Sequence, residues 1–173
     1  MFELNPHGPR SQELAEQEFA RDVEAFVIGT GAREPGEEVV PLIEKARELM
    51  RRDDWLRWGS SGMPLTGDQI AAHAEAAAEI LRTVGWNPSV RAGRGIRDAL
   101  IHAEKTSSTF SPDTHEAVVE TLGLLIRALT GAPFAYYEAW DSHPARTADE
   151  VLTLLAAAAV FARRYGAPAP TAA

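Results

Sequence analysis

From Val151 to Ala162 the chain is apolar except for Thr153. Spanning a bilayer takes about 20 such residues, so this run predicts a helix buried inside a protein. The residues around it fix its ends. Thr147 and Glu150 have the T-x-x-E spacing of a capping box, and Gly166 supplies a stop, which predicts a buried C-terminal helix over 147–165. A helix that is apolar on nearly every face needs other helices around it.

The remaining periodicity supplies them. Ser11 to Ile28 places Leu14, Phe19, Val23, Phe26 and Val27 near one face before Gly29 and Gly31. After the loop GTGAREPGEE, a second helix is expected to start near Pro41, turn Leu42, Ile43, Ala46, Leu49 and Met50 inward, and run out around Trp55 to Trp58. Thr66 and Gln69 have capping-box spacing for a third, with Ile70, Ala74, Ala77, Leu81 and Val84 on one stripe and Gly85 at its end. A shorter helix is expected over Gly95 to Glu104. Ser111-Pro112 starts a fifth, whose apolar face is Val118, Leu122, Leu125, Ile126 and Leu129, with Gly131 after its end. Between Pro133 and Trp140, period alone allows a short strand or a helical turn.

The fold class is therefore all-α: one domain, residues 1–173, a bundle of five to six helices. Residues 1–58 form its acidic N-terminal helices, 66–166 its core and 167–173 a frayed tail. The loops carrying Trp86 and Trp140 are expected near one another at one end of the bundle, since each adjoins a strongly apolar helix.

Charge and composition narrow the chemistry. Net charge is −8, and residues 1–58 hold 8 basic and 13 acidic side chains. Such a balance disfavours nucleic acid and anionic membranes and suits a basic protein partner. Glu13, Glu16, Glu18, Asp22 and Glu24 are the candidate partner-binding residues, with a homo-oligomer left open. Without cysteine there is no disulfide and no thiol chemistry. No basic and apolar leader opens the sequence, so a cytoplasmic location is expected.

Two segments stand out together: AAAEILRTVGW (76–86) and AWDSHPARTADEVLTLLAAAA (139–159). Through Gly85, Trp86, Trp140, Asp141, Arg146 and Thr147 they resemble a family of small helical actinobacterial proteins known as a domain of unknown function. The resemblance covers roughly residues 70–165 and implies a helical fold and a host group, with no activity attached. Relatives of that pattern place cysteines after Gly-Trp and in the next helix, where this chain has Asn87 and the Arg97 region.

The candidate ligand-binding residues cluster in the same two segments: Trp86, Arg91, Arg94, Arg97, Trp140, Asp141, His143 and Arg146. Arginines and glycines before a helix suit an anion. Adjacent Asp141, Ser142 and His143 cannot face one another as a catalytic triad must, and the structural reading is that Asp141 caps or pairs near Arg146 while Trp140 packs. No metal is expected: H-E-x-x-H is absent, and no glutamate stands three residues before His73, His102, His115 or His143. Asp98 with His102 is only a half-site and reads as an ion pair; Glu44/Glu48, Glu75/Glu79 and Glu116/Glu120 read as solvated faces. No cofactor is expected. The sequence thus favours a non-enzymatic intracellular interaction protein of an actinobacterial or phage-derived system. The alternatives are a small-ligand or nucleotide-binding enzyme using Trp86, Arg97, Asp141 and His143, and a helix-turn-helix regulator.

Overall fold

The computed structural model describes residues 35–169. Six α-helices make up the described fold: α1 (Pro35–Leu49), α2 (Gly67–Val84), α3 (Ile96–Thr106), α4 (Pro112–Thr130), α5 (Tyr137–Asp141) and α6 (Ala148–Tyr165). A 3-10 turn, Asp54–Leu56, follows α1. There is no strand among these residues, only isolated bridges from Trp58 to Pro64 and from Asn87 to Arg94 that close two loops. The all-α bundle is as expected. The helix expected over Ser11–Ile28, and with it Glu13, Glu16, Glu18, Asp22 and Glu24, lies outside the described residues.

Local chemistry sets most helix ends. Thr66 Oγ1 accepts from Gln69 N (3.2 Å) while Gln69 Oε1 accepts from Thr66 N (2.9 Å), and Thr147 with Glu150 repeats the exchange at 3.3 and 2.7 Å. Gly85 and Gly131 end α2 and α4 at φ 77° and 72°, a region that costs a residue with a Cβ and is open to glycine. The start of α1 differs from expectation. The helix begins six residues earlier, with Pro35 rather than Pro41 in the first turn; Pro41 stands inside the helix at an exposed position. α1 also ends at Leu49, and Trp55 belongs to the 3-10 turn. In the segment that allowed strand or helix, residues 137–141 form one short helix.

α2 and α6 make the most extensive contact among the described helices. Ala71, Ala74, Ala77 and Ala78 on one helix and Ala157, Ala158, Ala159 and Ala162 on the other are buried, and such small side chains let two backbones approach closely. At the ends of this pair the approach becomes backbone contact. A Cβ on Gly67 would lie 2.3 Å from the Ala162 carbonyl oxygen, and Gly67 N donates to Ala167 O at 2.8 Å. α6 is enclosed along Val151, Leu155, Ala158 and Phe161, but not all round: Ala156 is exposed and Val160 is 45% exposed. α1 packs across α4 and α6, burying Ile43 and Ala46. At the far end of α6, Arg163 reaches Glu75 on α2 and Arg164 reaches Glu44 on α1 (2.6 Å). These exposed pairs contribute at most about 1 kcal/mol each.

Candidate functional site

The Trp86 and Trp140 segments do meet, and Asp141 joins them. One of its carboxylate oxygens accepts from Trp86 Nε1 at 2.8 Å; the other accepts from the backbone N–H of Ile96 at 2.9 Å. The first residue of α3 is therefore capped by a side chain 45 positions away. Asp98 adds a second cap by accepting from Gly95 N (3.1 Å), so it is a helix-start residue and not half of an ion pair with His102. Burial holds the Asp141 carboxyl above the usual carboxylate range, with the two hydrogen bonds pulling the other way. Of the two expected roles, capping or pairing near Arg146, Asp141 takes the cap.

Arg146 has a different partner. Its guanidinium lies over the Trp140 ring, 3.7 Å from the centroid, and Nη1 donates to Glu150 at 2.9 Å. Nε donates to the Trp140 carbonyl at 3.2 Å. The pair is fully enclosed, with side-chain exposures of 1% and 7%. Burial works against the arginine's charge and Glu150 sustains it. Glu150 also accepts from the backbone and hydroxyl of Thr147, so one carboxylate serves both the ion pair and the α6 capping box. Two donors in this knot, Trp140 Nε1 and Arg146 Nη2, are buried with no acceptor among the described residues.

The other candidates lie outside the knot. Arg94 donates to the Val84 carbonyl at 2.7 Å and so closes the end of α2. Arg91 and Arg97 are exposed. His143 turns its Nδ1 toward the Ala145 N–H at 3.3 Å. Trp86, Trp140, Asp141 and Arg146 are thus brought together as mutual partners. Arg94 is spent on the end of α2, and Arg91 and Arg97 face solvent.

Two features escaped the sequence reading. His73 is fully buried: Nε2–H donates to the Leu100 carbonyl (3.0 Å), leaving Nδ1 to accept from the Thr114 hydroxyl (2.9 Å). Phe110 stacks on its ring at 4.6 Å and His115 stands edge-on at 6.0 Å, itself beside Glu104. Burial pushes the His73 pKa down. The available signal was its place between Ile70 and Ala74 on the apolar stripe of α2. The second feature is a half-open cleft of about 700 Å³ between residues 49–60 and α4. Trp55 and Trp58 line one wall; Glu116, Glu120 and Arg127 line the other. No group of three or more histidine, aspartate or glutamate side chains among the described residues is arranged to hold a metal ion.

These features define a class: a small helical bundle whose buried polar knot ties two loops at one end. The stretch carrying the knot, residues 65–161, matches the DUF6197 family, a family of unknown function, and the chain belongs to it. No curated protein and no solved structure matches the chain. No helix among the described residues is long and apolar enough to cross a membrane.

Proposed function

We propose that this chain is a non-enzymatic binding protein, an accessory factor that works by docking onto a protein partner. The observation that carries the reading is the contrast at the knot end. The polar groups of Trp86, Asp141, Arg146 and Glu150, all but Nη2 of Arg146, are spent on one another and on nearby backbone, while Val90, Phe134 and Tyr136 stand 98%, 79% and 75% exposed on the adjoining segments. Asp141 holds these segments together, because it closes α5, which Tyr136 precedes, and binds both ends of the 86–96 loop that carries Val90. Exposed aromatic side chains and exposed arginines, here Arg91 and Arg97 on the segment that Asp141 ties to α5, are the composition of a protein-binding surface. A second contact is proposed for Glu13, Glu16, Glu18, Asp22 and Glu24, whose charge suits a basic partner surface. The proposal extends to an intracellular setting in an actinobacterial or phage-derived system.

The small-ligand alternative needs a vacant polar pocket at Trp86, Asp141 and His143, and both Asp141 oxygens already accept hydrogen bonds from within the fold. The two readings are separated by affinity purification of the tagged full chain from its native host. A protein that copurifies with the wild type and is lost from a Phe134→Ser/Tyr136→Ser variant of unchanged circular dichroism supports the docking reading. Recovery of a tightly bound metabolite and no protein would replace it with the alternative.

A further inference from the structure

α4 carries a row of residues that nothing within the described chain completes. Glu116, Glu120, Gly123 and Arg127 recur at i, i+4, i+7 and i+11 and so share one outward stripe. Among the described residues, neither glutamate nor the arginine makes an ion pair, and Arg127 Nε is buried without an acceptor. Paired charges abound elsewhere on this surface, at Arg52–Asp54, Arg57–Asp53 (3.2 Å) and Arg82–Glu79 (3.1 Å). Gly123 is the second oddity. A glycine in the middle of a helix lowers its stability relative to alanine. No contact among the described residues requires it, because the nearest atom to a Cβ built there, the Ala135 carbonyl oxygen, is 3.8 Å away. A missing methyl on an outward stripe lets another backbone come close.

The pattern has a symmetry. Glu120 and Arg127 are equidistant from the midpoint between Gly123 and Leu124, each about 5 Å along the axis from it. Two copies of α4 related by a twofold axis through that midpoint run antiparallel, and Glu120 of each then faces the partner's Arg127. One contact with the closest approach at Gly123 would pair Glu120 with Arg127 twice over and leave Glu116 in solvent. We propose that the chain self-associates as a symmetric dimer through this face of α4. Such an interface is self-complementary, as twofold closure requires. The flanking ridge with Trp55 and Trp58 supplies apolar area toward the roughly 800 Å² per partner that a stable dimer needs. The surface adjoins the segment carrying Phe134 and Tyr136 at Ala135, but the inference is argued from the charges of α4 and does not rest on the proposed partner.

The test is a charge-swap experiment on the full chain, read by sedimentation velocity across the micromolar range. The wild type is expected to dimerise. Glu120→Arg sets arginine against the partner's Arg127, and Arg127→Glu sets glutamate against the partner's Glu120, so each variant alone should dimerise at least about tenfold more weakly. Mixed in equal amounts, the two variants restore both contacts and should form a heterodimer with affinity near that of the wild type. Gly123→Ala should weaken the dimer while raising the melting temperature of the monomer. A wild type that stays monomeric overturns the proposal. So does a dimer indifferent to both reversals, or a mixture that stays monomeric although each variant has native circular dichroism.

Discussion

The end of the bundle tied by Asp141 and Arg146 and the outward face of α4 treat charge in opposite ways. In the first, charged groups are buried and each carboxylate oxygen has a donor; in the second, glutamates and an arginine stand in a row without ion-pair partners among the described residues. A buried charge that loses its partner costs several kcal/mol, whereas an exposed one is solvated whether paired or not. The first region therefore reports on how the protein folds. The second is free to serve something outside the fold.

The contrast breaks most visibly at Arg146. Arg146→Ala leaves Glu150 buried and unpaired and is expected to cost about 3–5 kcal/mol in urea unfolding. Glu120→Ala on the α4 face should change monomer stability by less than about 0.5 kcal/mol. Comparable losses at the two sites would erase the distinction. Trp86→Phe keeps most of the ring's bulk but takes a donor from Asp141, with an expected loss of about 1–3 kcal/mol. If Asp141→Asn, added to Trp86→Phe in a double variant, restores part of that loss, the hydrogen bond and not the packing is responsible.

His73 sharpens the comparison through pH. Its folded pKa lies below the unfolded value near 6.5, so the unfolded chain binds the extra proton. Stability attached to neutral His73 is complete above pH 6.5 and declines as pH falls below it, levelling off beneath the folded pKa, with a slope of at most about 1.4 kcal/mol per pH unit. Its titratable neighbours, His115 and Glu104, lie on α4 and α3 and remain in a His73→Gln variant. Denaturation midpoints of that variant should show the shallower slope between pH 7 and 5; an unchanged slope would place the proton elsewhere. One small effect has the opposite sign: Gly123→Ala should stabilise the monomer by about 0.5–1 kcal/mol, read from its thermal unfolding.

Helix ends were legible in the sequence where a short-range exchange sets them. Thr66 with Gln69 and Thr147 with Glu150 meet their partners three residues away, so spacing alone announces them. Pro41 misled because two prolines satisfy the same first-turn rule, and Pro35 sits in that turn. At the candidate site, the proximity of Trp86 to Trp140 was readable from where their helices begin and end. The cap that Asp141 places on α3 was not, since it spans 45 residues and exists only once the bundle has closed. The same holds for His73 with Thr114, 41 residues apart. The cleft walled by Trp55 and Trp58 likewise depends on where the chain after α1 comes to rest against α4.

The contact of Gly67 with Ala162 and Ala167 carries a topological consequence. The chain enters α2 and leaves α6 at one point, where Gly67 N donates to Ala167 O and a Cβ on Gly166 would meet the backbone of Gly67 at 2.6 Å. The run from α2 to α6 therefore starts and ends at one place on the bundle, while α1 packs across α4 and α6 as part of the same core. In this chain the link from α1 into α2 and the residues that follow α6 meet at a single spot on the bundle.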